Sequence, residues 1–175
     1  VEGPCGEWML YEPEDTERPF KSISSNGENT SFSKDGIHWT ATGDNRKLFG
    51  DINMEIASMF KWGGCYYVNG QNGPSAWTRS IPHPIPNAAK RTVITFASYD
   101  LVNWTHAAAN TFRRDPVPPR VPESFETHNG EQIHEGMVPW NRGNVLLGLY
   151  GQWHGPTHTN DRRDVVVDLG FAISH

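Results

Sequence analysis

The chain has 175 residues, room for one domain of ordinary size. Its 17 Gly and 13 Pro favour many turns, while seven Trp, five Tyr and eight Phe supply large apolar groups and argue against disorder. A formal net charge of −5, with no Lys/Arg cluster longer than a pair, leaves no electrostatic footprint for nucleic acid, and no apolar run approaches the roughly 20 residues of a bilayer span.

In chain order, the first element is Gly6-Glu7-Trp8-Met9-Leu10-Tyr11, a short strand opened by glycine. A long loop is expected over residues 12–29, followed by a strand ending at Ser33-Lys34-Asp35-Gly36-Ile37-His38-Trp39-Thr40. Asp35-Gly36 is a hairpin-turn signal, so Asp35 reads as a turn residue and Trp39 as packing between sheets. An apolar strand over residues 56–60 is joined by Trp62-Gly63-Gly64 to Cys65-Tyr66-Tyr67-Val68. Beyond a second long loop, residues 71–90, the turn motif recurs as Ser98-Tyr99-Asp100-Leu101-Val102-Asn103-Trp104-Thr105. A third long loop, residues 107–134, leads to an apolar strand over 137–140, then Gly143-Asn144-Val145-Leu146-Leu147-Gly148-Leu149-Tyr150. After a fourth loop, residues 152–164, Gly170-Phe171-Ala172-Ile173-Ser174 begins a third copy of the strand that precedes each turn.

Tandem four-stranded antiparallel units predict an all-β fold, a β-propeller segment of about two and a half blades, with units near 1–45, 46–110 and 111–175. By this alignment the Trp8 strand is the second of its unit, so the first unit lacks its innermost strand and the last its outermost. Closure takes roughly four to eight blades, so the remainder of the propeller or a partner chain is needed. The opening Val1-Glu2-Gly3-Pro4 reads as a processed or internal start. Two cysteines, Cys5 and Cys65, give neither a disulfide framework nor a zinc pattern, though one bridge is open.

The Ser-x-Asp-Gly-x-x-Trp turn after a Gly-x-Tyr-Tyr strand resembles the five-bladed propeller glycoside hydrolases, such as families 32 and 43, over nearly the whole chain. The sialidase-type box of six-bladed propellers is one residue longer between Ser and Trp, and that spacing argues against it. The resemblance implies carboxylates at the heads of innermost strands, facing a central funnel. One acid protonates the leaving oxygen while another acts as base or nucleophile. Glu135-Gly136-Met137 is similar to the family-43 Glu-Gly-Pro motif of the general acid, with Met137 in place of Pro. Glu55 stands where the resembling family has an Asp that tunes the acid or stabilises the transition state, with Asp51 as a fallback. The remaining carboxylate is expected upstream of Val1.

Trp77 and Trp153 suit stacking on sugar rings, His134 and His154 hydrogen bonding to hydroxyls, and Arg79 a carboxylated sugar. His154 and His158 are spaced as helical metal ligands, but Pro156 between them argues against that helix, so no metal ligand is assigned. No organic cofactor is implied; a structural ion in the funnel is open. The expected function is hydrolysis of an oligo- or polysaccharide; the competing reading is a non-catalytic propeller that binds glycan or protein. Carbohydrate is the expected partner, with no nucleic acid and no membrane. An extracellular or periplasmic setting is inferred by analogy with enzymes that meet polymeric sugars, and a cytoplasmic one stays open.

Overall fold

The computed structural model describes residues 6–24, 27–42, 47–50, 52, 54–72, 92–110, 132–154 and 161–174. Eleven strands and one short 3-10 turn, Arg162–Asp164, make up its regular structure, with no α-helix among the described residues. The strands form three antiparallel sheets that are not closed on one another, the arrangement of a propeller segment. The first holds β1 (Trp8–Tyr11), β2 (Phe20–Ile23), β3 (Thr30–Ser33) and β4 (Trp39–Ala41). The second holds β5 (Glu55–Trp62), β6 (Cys65–Asn72), β7 (Thr92–Ser98) and β8 (Thr105–Asn110). In the third, β10 (Leu146–His154) lies between β9 (Gln132–Asn141) and β11 (Val166–Ser174). The leading strands neighbour one another in turn, β1 against β5 and β5 against β9.

The first sheet corrects the expected strand assignment. Trp8–Tyr11 is its innermost strand, and the expected loop over 12–29 contains β2, whose Phe20–Ile23 pairs with β1 on one side and β3 on the other. The glycine that opens this strand, Gly6, differs from Gly64 and Gly143, which are turn glycines at positive φ. Gly6 instead lies tight against the β2 backbone, where an added Cβ would come within 2.4 Å of the Ile23 carbonyl oxygen. The first unit is therefore a full four-stranded sheet, and the third has three strands among the described residues.

The repeated turns are built alike, from local hydrogen bonds. Asp35 Oδ1 accepts from the Ile37 and His38 amides at 2.8 Å, and Asp100 Oδ1 accepts from the Val102 and Asn103 amides at 2.9 and 2.7 Å. Trp39 Nε1 donates to the Gly36 carbonyl and Trp104 Nε1 to the Leu101 carbonyl, folding each indole back over its turn. Cross-links between sheets follow, because Thr30 Oγ1 donates to that same Leu101 carbonyl at 2.8 Å.

The main core lies between the first two sheets, where Ile23, Phe49, Met54, Ile56, Met59, Val68, Ile94, Phe96 and Leu101 are buried. Alternation sends Met59, Val68 and Phe96, which are register partners, into this core. Ser58 and Asn69, the next pair along, face the third sheet instead. Cys65 is buried and not in a disulfide, and its thiol donates to the Ser98 carbonyl; Cys5 lies outside the described residues.

Candidate active site

A cleft of about 780 Å³ opens at the head of the innermost strands, lined by Glu7 and Trp8 at β1, Glu55, Ile56 and Ala57 on β5, His134, Gly136 and Val138 on β9, and Tyr150 on β10. Three successive sheets thus contribute to one concavity, which is where a propeller gathers side chains from separate blades.

Both leading strands of the second and third sheets are irregular at this cleft. In β5 the pairing with β6 shifts between Ile56 and Ser58, so Ala57 is an extra residue. In β9, Met137 pairs with Tyr150 and His134 with Gly151, which leaves Glu135-Gly136 as a two-residue bulge. Gly136 has φ +109°, and a Cβ there would meet Ala57 Cβ and Gly70 Cα at 3.0 Å, so only glycine fits both the dihedral and the approach of sheet to sheet. Bulges re-aim side chains, and they recur beside active sites for that reason. Glu135 accordingly lies within β9 rather than opening it, as the fourth residue of Gln132–Asn141.

Glu55 is exposed at the start of β5 and accepts a hydrogen bond from Gln71 Nε2 across the β5–β6 pair. Because Trp8–Tyr11 is the innermost strand of the first sheet, the head of that strand does not lie upstream of Val1, and Glu7, exposed just before β1, stands there and lines the cleft. The expectation of an upstream strand followed from reading the Trp8 strand as the second of its unit, where the sheet has it first. His134 is half-buried, its ring centroid 5.0 Å from that of Trp153, and its Nδ1 is buried without a hydrogen-bond partner. Trp153 is only 6% exposed, so its ring backs His134 more than it faces solvent. The Trp8 indole nitrogen is likewise buried and unpartnered. Tyr150 packs its ring against Gly170, and burial pushes its phenol above the ordinary tyrosine range, keeping it a hydroxyl donor.

Asp51, Trp77 and Arg79 lie outside the described residues, as do the side chains of Glu135 and His154, whose backbones belong to β9 and β10. Among the described residues, no three His, Cys, Asp or Glu side chains converge as ligands for a metal ion. Of the polar and aromatic residues lining the cleft, Glu7, Trp8 and Tyr150 are those that sequence reasoning did not single out. Comparison of the chain with models of known protein families and with curated proteins finds no match.

Proposed function

We propose that the chain carries the catalytic face of a glycoside hydrolase, acting on an oligo- or polysaccharide in the cleft at the head of β1, β5 and β9. The observation that carries this reading is that the innermost strand of each sheet bears a glutamate at or near its head: Glu7 and Glu55 line one concavity, and Glu135 stands in the β9 bulge between the lining residues His134 and Gly136. Glycosidic cleavage needs an acid for the departing oxygen and a second carboxylate against an oxocarbenium-like transition state. Glu135 is assigned as the acid because its bulge, flanked by the cleft residues His134 and Gly136, gives it a main-chain setting unlike that of the other two. Glu7 takes the place of base or nucleophile. Glu55, held by Gln71, stabilises charge on the sugar.

Glu135→Gln keeps the shape of the side chain and removes its proton. Turnover on glycosides with poor leaving groups is expected to fall by ~10² to 10⁴, with activated aryl glycosides largely spared. Glu55→Gln and Glu7→Gln are expected to slow both substrate types. A Glu135→Gln protein that hydrolyses unactivated glycosides normally would refute the assignment, and glycan binding without any hydrolysis would favour the non-catalytic alternative.

A further inference from the structure

β9 is the inner edge of its sheet, paired only with β10 among the described strands. In an antiparallel ladder, alternate residues of an edge strand turn both N–H and C=O away from the partner, and buried groups left so must be satisfied elsewhere. Met137, the first residue after the Glu135-Gly136 bulge, has both groups held by side chains of the neighbouring sheet. Its amide donates to Asn69 Oδ1 at 3.2 Å, and its carbonyl accepts from Ser58 Oγ at 2.8 Å. These two residues are cross-strand partners on β5 and β6, 6% and 1% exposed, so the grip comes from a rigid, buried pair. A serine and an asparagine there displace apolar contact from a sheet interface, a cost that calls for a return.

We propose that Ser58 and Asn69 are positioning residues which clamp the Met137 peptide groups and so fix the bulge that sets the direction in which Glu135 leaves β9. The inference rests on the hydrolase reading for its chemical consequence. Gly136 makes the clamp necessary: at φ +109°, with no room for a side chain against Ala57 and Gly70, the bulge has no register partner on β10 to hold its angle. Fixing the residue that follows restores definition to the acid, where a displacement of an ångström costs up to ~10²-fold in rate.

The test uses the intact protein and a pair of aryl glycosides of one sugar, with poor and activated leaving groups. Ser58→Ala and Asn69→Ala are expected to lower turnover on the poor leaving group by ~10- to 10²-fold with KM little changed, and to spare the activated one. Ser58→Thr, which keeps the hydroxyl, is expected to restore most of the loss. A second measurement does not depend on catalysis: Asn69→Ala should speed hydrogen exchange of the Met137 amide by more than ~10-fold, with the β9 amides bonded to β10 still protected. Unchanged exchange at Met137 overturns the clamp. Loss of melting temperature with an unaltered ratio between the two substrates leaves the hydrolase reading standing and overturns the positioning role. If Glu135→Gln itself fails to discriminate the substrates, or the wild-type protein cleaves neither, the hydrolase reading falls and takes the positioning role with it.

Discussion

At the far end of the inner strands from the cleft, Glu12 is the residue on which two sheets converge. It is 9% exposed, and it meets Lys21 at 2.9 Å, Tyr66 Oη at 2.7 Å and the Lys61 ammonium from the second sheet. Lys21, 2% exposed, also reaches Asp15 at 2.9 Å and donates to the Arg18 carbonyl, which leaves its buried charge well matched. Burial pushes the Glu12 carboxyl up, but hydrogen bonds from Lys61, Lys21 and Tyr66 outweigh it, so the group stays below the ordinary glutamate range. A lowered carboxyl in the folded state stabilises the protein above the unfolded value near 4.5 and loses that contribution as pH falls through the folded value. Glu12→Ala, which removes one of the two carboxylates on buried Lys21 and the carboxylate partner of the partly exposed Lys61, is expected to cost about 1–3 kcal/mol. Glu12→Gln should flatten the acid side of the stability profile below pH ~4.5, read by thermal melts against pH. Local chemistry of this order is also what the sequence displays most openly. Asp35 and Asp100 were legible as turn residues because every bond they make reaches no further than three residues along the chain. Their carboxyls are held well below the ordinary range, Asp35 mainly by the His38 side chain and Asp100 mainly by the Asn103 amide. Glu12, whose partners include groups 49 and 54 residues away, offered no such signal.

At the scale of single elements, β2 and the bulge of β9 show where the pattern ran out. Phe20-Lys21-Ser22-Ile23 reads as loop because it is short, follows Pro19 and places a lysine in the interior; it is a strand because its backbone is shared by two neighbours and its lysine by two carboxylates. Missing it shifted the whole first unit by one strand and hid Glu7. The Glu135-Gly136 bulge was invisible for a different reason, since an extra residue exists only relative to the partner strand. Its Gly136 yields a direct prediction. Alanine there must hold φ near +109° and drive its Cβ to 3.0 Å from Gly70 and Ala57, so Gly136→Ala is expected to destabilise by about 1–3 kcal/mol. It should also lower turnover more than that instability explains, because relaxing the strain moves the residue beside it. A variant as stable and as active as the parent would remove the bulge from the mechanism.

Across the whole molecule, the sheets differ in how many faces they bury. The second sheet is covered on both sides, by the core against the first sheet and by β9 of the third. The third sheet is covered on one. Register places Val138 and Trp140 of β9, Leu149 of β10, and Val167, Leu169, Phe171 and Ile173 of β11 on its other face, all at least 50% exposed and Leu169 82%. A contiguous exposed apolar patch of this kind marks a surface meant to be covered. β11 adds an edge of nine residues with Asp168 its one charge and, among the described residues, no strand on its outer side. An edge so long, apolar and unguarded by lysine or proline pairs readily with other strands. The 175-residue chain on its own is therefore expected to associate in a concentration-dependent way and to bind an apolar dye such as ANS, as followed by sedimentation and fluorescence. Leu169→Lys with Phe171→Lys should reduce both effects with little change in melting temperature, because neither side chain is packed in the single chain. Leu169 also lines the cleft, so of the two lysines only the one at position 171 acts on the covering interaction and the edge alone. A chain that stays monomeric and dye-silent at high concentration, or one that the double substitution unfolds, would show that this face is already satisfied within the single chain.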